Sequence, residues 1–160
     1  MTNIDLLRAT GVFSKLSDAE LEAVARCVVE RDVPEGACLI REGQPGESLY
    51  IIRSGRVMVE KTVGDKTMTL AELGEGAVFG EMSLIDNFPT SASVTTLVPC
   101  SLLLIGRLDL NVLLTWDTVL GAKMWRSFTE MLCRRLRASN EDMLARYGDR
   151  APKDVIGGSW

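Results

Sequence analysis

Histidine is absent from this 160-residue chain. Its absence removes the commonest general base, and with it any Ser-His or Cys-His nucleophile pair. Cys27, Cys38, Cys100 and Cys133 stand far apart with no C-x-x-C spacing, so neither a zinc set nor a redox pair is written here. A disulfide framework is not expected of a cytosolic chain of this size, and the four read as single buried cysteines. Lysine and carboxylate chemistry remains, but no pair of carboxylates stands out. The sequence therefore reads as non-enzymatic, with no catalytic residue, metal or cofactor.

Positive charge is also lacking. With 18 Lys and Arg against 22 Asp and Glu, the net charge is −4, which argues against DNA, since phosphate backbones are held by clustered cations. No long apolar run occurs; stretches such as Leu102–Ile105 are far too short to span a bilayer. Met1-Thr2-Asn3-Ile4-Asp5 lacks the basic and then apolar pattern of a signal peptide, so a cytoplasmic location away from membranes is expected. Hydrophobic residues at 46% and charged residues at 25% are ordinary globular usage, and the length suits one domain with its own core.

What is present falls into three zones. Ser17-Asp18-Ala19-Glu20 has capping-box spacing, followed by Leu21, Val24, Ala25 and Val28 at helical spacing. Before it, Leu6, Leu7, Val12, Phe13 and Leu16 suggest a packed turn. From Val29 to Ile105 short β-type runs are divided by glycines. Ser48–Arg53 and Arg56–Lys61 flank Ser54-Gly55, a hairpin signal, and a second hairpin is expected at Gly64-Asp65. Adding Val28–Val33, Cys38–Arg41, Lys66–Leu73, Ala92–Leu97 and Ser101–Ile105 gives about seven or eight strands, as in a β-sandwich or jelly roll. After Gly106 the helical period returns. Leu108, Val112 and Leu113 predict one face of a short helix. Asp117 or Thr118 then caps a long helix to about Tyr147, with Leu120, Met124, Phe128 (or Ser127), Met131 and Leu132 as its stripe. The expected organisation is one domain over residues 1–147, including the C-terminal helices, and a flexible tail over 148–160.

The informative stretch is Phe79–Val94. Gly80 permits a backbone turn where a side chain would obstruct a ligand. The residues after it can open a short helix whose free N–H groups favour an anion. Glu81 supplies an acceptor suited to a sugar hydroxyl, and Thr90, Ser91 and Ser93 supply small hydroxyl donors. Such hydroxyls beside a turn also commonly satisfy backbone groups instead.

Phe79-Gly80-Glu81-Met82-Ser83-Leu84-Ile85, the strand Leu49-Tyr50-Ile51-Ile52 and the glycines Gly36, Gly43, Gly46 and Gly55 together resemble the cyclic nucleotide-binding domain family. That family includes catabolite activators and the regulatory subunits of cyclic-AMP-dependent kinase. The resemblance covers roughly Phe13 to Tyr147. It implies a mainly β fold, an eight-stranded β-roll with an N-terminal helical segment and a long C-terminal helix. It implies a ligand site of Phe79, Gly80, Glu81, Met82, Ser83, Thr90, Ser91 and Ala92 for cyclic AMP or cyclic GMP. In it Glu81 would hold the ribose 2′-hydroxyl, and amides near Gly80–Ser83 and Ser91–Ala92 would face the phosphate. Members that bind cyclic nucleotides usually read Pro-Arg-(Ala/Thr/Ser)-Ala, whereas this chain has Pro89-Thr90-Ser91-Ala92. The loss of that arginine corresponds to about 1.5–5 kcal/mol, roughly tenfold to a few thousandfold in affinity. Arg53, Arg56 and Lys61 are cations that could reach in from elsewhere.

The same resemblance implies that the helices after the roll carry the signal to a protein partner or pair in a homodimer. The stripe of Met124, Phe128, Met131, Leu132 and Leu136 would serve; covering the domain's own core is the alternative use. Arg134, Arg135 and Arg137 read as a solvated basic face. A DNA-binding regulator would need a further helix-turn-helix, for which thirteen residues after Tyr147 are too few. A ligand-free interaction or dimerisation scaffold that keeps only the fold is the competing reading.

Overall fold

The protein is described here by a computed structural model, over residues 1–148. Of the tail expected at 148–160, Gly148 closes α5 and residues 149–160 lie outside the described residues. The chain runs α1 (Asn3–Ala9), α2 (Asp18–Ala25), β1 (Val28–Val33), β2 (Cys38–Ile40), β3 (Ser48–Ser54), β4 (Val57–Val63), β5 (Lys66–Leu73) and β6 (Val78–Phe79). It continues through α3 (Met82–Asp86), β7 (Ser93–Thr96), β8 (Cys100–Gly106), α4 (Arg107–Trp116) and α5 (Thr118–Tyr147). Two four-stranded antiparallel sheets, β1-β8-β3-β6 and β2-β7-β4-β5, face each other as a roll with helices at both ends. The mainly β fold expected from the sequence is the fold observed.

The strand period of two explains the core. Tyr50, Ile52, Leu102 and Leu104 point into the roll with Val57, Phe79, Val94 and Cys100. Their neighbours Leu49, Ile51, Leu103 and Ile105 point out of it and pack under Leu7, Phe13, Leu21, Leu110, Leu120, Met124 and Phe128 from the helices. Strands β3 and β8 are thus buried on both faces, which is why they read as unbroken apolar runs.

Local signals hold at the helix ends. Ser17 Oγ accepts from Glu20 N at 3.3 Å while Glu20 Oε2 accepts from Ser17 N at 2.7 Å, the capping box read from the sequence. Asp117 Oδ1 accepts from Val119 N and Leu120 N at 3.1 and 3.0 Å and starts α5, which Gly148 closes.

Four expectations need correction. Ser54-Gly55 is not a hairpin: β3 belongs to one sheet and β4 to the other, and the dipeptide is the corner between them. Gly55 sits at φ 103°, where a Cβ would lie 2.5 Å from Cys100 Sγ and 2.8 Å from the Pro99 carbonyl. The glycine was read as a turn residue, but it answers to a crowded corner. The Gly64-Asp65 hairpin forms as expected, with Val63 opposite Lys66. Helix α2 ends at Ala25, and Val28 opens β1. In α4 the buried residues are Leu110, Leu113 and Leu114, while Leu108 and Val112 are exposed. The apolar residues of α4 occupy more than one face, so spacing alone did not choose. Of the cysteines only Cys100 is buried; Cys27 is partly covered, and Cys38 and Cys133 are exposed. Within the described residues no helix is long and apolar enough to cross a membrane.

Candidate ligand cavity

Strand β6 pairs with β3, placing Phe79 opposite Tyr50 with their rings stacked at 4.9 Å. Gly80 follows at φ 83°, a region that disfavours any side chain. A Cβ there would meet the Ser48 carbonyl at 2.7 Å. The glycine therefore admits strand β3, rather than clearing a path for a ligand. The chain then turns into α3, whose N-terminal N–H groups have no side-chain cap, and leaves it at Asn87 in the left-handed region.

Around this turn lies a cavity of about 280 Å³. Phe79, Gly80, Glu81, Met82, Ser83, Thr90, Ser91 and Ala92 all line it, so every site residue expected from the sequence comes together at one place. Ile40, Val59, Leu73 and Val94 form an apolar wall, and exposed Met82 and Phe88 stand at the same cavity.

Glu81 is the buried charge of the site, with its side chain 2% exposed. Burial pushes its carboxyl above the ordinary 4.5, against the opposing pull of Arg135 and its own amide. Oε1 accepts from Arg135 Nη1 at 2.5 Å, and Oε2 has no partner among the described residues. Arg135 also donates to the Val78 carbonyl. This arginine, expected on a solvated face, is a cavity residue on α5. A signal for it existed: Arg135 lies seven residues after buried Phe128 and four after Met131, so it continues the inward stripe.

Two of the three hydroxyls expected as ligand donors, those of Thr90 and Ser93, are bonded to the backbone. Thr90 Oγ1 donates to the Arg41 carbonyl at 2.6 Å, while Ser93 Oγ accepts from Glu42 N at 3.0 Å. Thr90 N donates to the Gln44 carbonyl and Gly43 N to the Thr90 carbonyl, locking this residue into the β2–β3 loop. Ser83 Oγ lies against Gly46, where a Cβ would come within 2.7 Å of it. Arg107 braces the same region by donating to the carbonyls of Gly46 and Ser83 and to Asn87 Oδ1.

The three candidate cations separate clearly. Arg53 pairs with Glu30 and Asn3, and Arg56 stands 4.0 Å from Glu72. Lys61 reaches the site, donating to the Ser91 carbonyl at 2.7 Å and to Glu42 Oε1 at 3.1 Å. Among the described residues no group of three or more Cys, Asp or Glu is arranged to hold a metal.

Residues 30–115, more than half the chain, match the family described as the cyclic nucleotide-binding domain. The chain belongs to that family. A cyclic nucleotide-gated potassium channel of Mesorhizobium japonicum is 38% identical over 111 residues, covering 69% of this chain and 30% of the channel. The chain thus spans less than a third of that relative's length. A crystal structure of a cyclic nucleotide-binding domain from Methylobacillus flagellatus superposes with a TM-score of 0.80 at 30% identity, covering 90% of this chain and 82% of that one. A third likeness is to the regulatory subunit of a cAMP-independent protein kinase A from Trypanosoma brucei. The TM-score is 0.63 at 28% identity, with 66% of this chain and 39% of that one covered. That subunit was a triple mutant bound to cAMP in its A site, one change replacing a threonine by arginine. A channel gated by cyclic nucleotides and a kinase regulatory subunit are thus among the proteins this chain is similar to.

Proposed function

We propose that this domain is a non-enzymatic cytoplasmic regulatory module that senses cyclic AMP, cyclic GMP or a related phosphate ligand in the Phe79–Val94 cavity. Binding is passed through the C-terminal helices to a protein partner or a second copy, and neither DNA nor a membrane is engaged. Phe79, Gly80, Glu81, Met82, Ser83, Thr90, Ser91 and Ala92 form the ligand site, at an affinity lowered by Thr90 in place of the phosphate-binding arginine.

One observation carries this reading: the Glu81 carboxylate is buried in the cavity with Oε1 held by Arg135 of α5 and Oε2 unpartnered. A buried acceptor without a donor is unfavourable, and a ligand hydroxyl would satisfy it. Because the other oxygen is bonded to α5, a ligand on Glu81 competes with, or completes, a contact of the signalling helix. The two states of α5 need differ only in that contact for binding to bias them. The Trypanosoma brucei relative, named cAMP-independent, was captured with cAMP as a triple mutant in which one change is threonine to arginine, which accords with the role given to Thr90.

The competing scaffold reading has its own observation, the Thr90 hydroxyl bonded to the Arg41 carbonyl, which ties the phosphate corner to a loop. A thermal-shift series with cyclic AMP, cyclic GMP and cyclic dinucleotides separates the two. A ligand that binds only the folded state raises its stability. A rise at millimolar ligand or below is expected; no response to any of them would leave the scaffold reading.

A further inference from the structure

The phosphate corner of this cavity lacks the arginine that the family places at Thr90, yet a cation stands beside it. Lys61 lies on β4, two residues after cavity-lining Val59 and therefore on the same face of the strand. The register shift between β4 and β5 leaves that alternation intact, since Val59 faces Ala71 and Glu60 faces Thr69, the extra residue being on β5. The Lys61 ammonium donates to the Ser91 carbonyl at 2.7 Å, one residue beyond Thr90. It also donates to Glu42 Oε1 at 3.1 Å, and Glu42 is fixed in turn by Thr62 N on Oε2 at 3.0 Å.

Lys61 stands beside the lining at Ser91, and the one cation that lines the cavity among the described residues, Arg135, is already engaged. Arg135 is held by Glu81 and the Val78 carbonyl, at the sugar end rather than the phosphate end. An ammonium has three donors. Lys61 uses two of them among the described residues, and its side chain is 42% exposed, so it can turn.

We propose that Lys61 is the anion-recognising side chain of this cavity, giving its third N–H to a ligand phosphate at the Ser91–Ala92 corner while Glu42 and the Ser91 carbonyl hold the ammonium in place. The proposal rests on reading the cavity as a site for a phosphate ligand. It assigns Glu42 a part as well. As a fixed carboxylate beside the ammonium, Glu42 offsets some of its charge and keeps phosphate affinity moderate.

Titration calorimetry of the whole chain with cyclic AMP tests this with Lys61→Met, Lys61→Arg, Glu42→Gln, Thr90→Arg and the Lys61→Met/Thr90→Arg double variant. Lys61→Met should weaken binding about tenfold or more, the loss expected for one charge-assisted bond. Lys61→Arg should keep affinity within about threefold, and Glu42→Gln should tighten it. In the Thr90→Arg background the cost of Lys61→Met should shrink, because the new arginine supplies the charge. If Lys61→Met binds like the parent, or costs the same factor in both backgrounds, Lys61 is a strut and the proposal is overturned while the cavity reading stands. The same holds if the parent is silent at millimolar cyclic AMP and Thr90→Arg binds. Silence of both parent and Thr90→Arg overturns the proposal and the cavity reading together.

Discussion

Arg135 and Glu81, 54 residues apart, meet through a 2.5 Å contact between Nη1 and Oε1. Both residues line the cavity, and the contact is a direct bond between the turn after β6 and α5. Its two ends are unequal: Glu81 is sealed from solvent, whereas the Arg135 side chain is 40% exposed. That asymmetry governs what each substitution does.

Removing the arginine leaves a buried carboxylate without a counter-ion. Arg135→Ala should therefore lower stability at neutral pH by about 2–3 kcal/mol, somewhat less than the ~3–5 kcal/mol of a fully buried pair because the arginine is partly in water. Glu81→Gln should be nearly neutral, since Arg135 can turn to solvent. The double variant should recover most of the loss. Urea unfolding of the four proteins checks this, and simple additivity would contradict it.

The titration of Glu81 gives a signed prediction. Its folded value is raised above 4.5, mainly by burial, so folding favours the protonated form. The stability associated with that proton is fully present below 4.5 and is lost as pH climbs through the raised folded value. Relative to Glu81→Gln, the parent should gain stability as pH falls from neutrality toward 4.5. Glu20 behaves oppositely: its bond to Lys123 holds it below 4.5, so its contribution is present above 4.5 and lost as pH falls through its folded value. Unfolding midpoints of parent, Glu81→Gln and Glu20→Gln from neutrality to well below 4.5 read both signs. A parent that weakens relative to Glu81→Gln on acidification would contradict the first.

Gly55, at the corner between the two sheets, should not tolerate a side chain. Gly55→Ala places a methyl 2.8 Å from a backbone carbonyl at a φ of 103°. Strain and overpacking together should destabilise by about 3 kcal/mol or more. A chemical-denaturation midpoint unchanged from the parent would refute this account of the corner.

Much of this was legible in the sequence. The capping box at Ser17, the Gly64-Asp65 hairpin and most of the strands follow from local patterns that tertiary structure did not override, and the residues that the family resemblance picks out at Phe79–Ala92 line one cavity. What escaped was long-range. Whether β3 and β4 pair depends on Cys100, forty-five positions from Gly55, and a two-residue spacer looks the same at a hairpin and a corner. The face of α4 was ambiguous because its apolar residues nearly encircle it. Arg135 was read by its basic neighbours Arg134 and Arg137, when its place on the inward stripe was the better guide. Thr90 in place of the family's arginine is visible in the sequence, but only the fold shows its hydroxyl turned to the Arg41 carbonyl.

The central claim is that this is a cyclic nucleotide cavity weakened at one position. Titration calorimetry of cyclic AMP into Thr90→Arg and the parent tests it most directly. The substitution breaks one bond to the Arg41 carbonyl, worth about 1 kcal/mol, and supplies a charge worth more. The account predicts affinity tighter by at least about tenfold, or binding where the parent shows none. Equal affinity, or none in either protein, would contradict it.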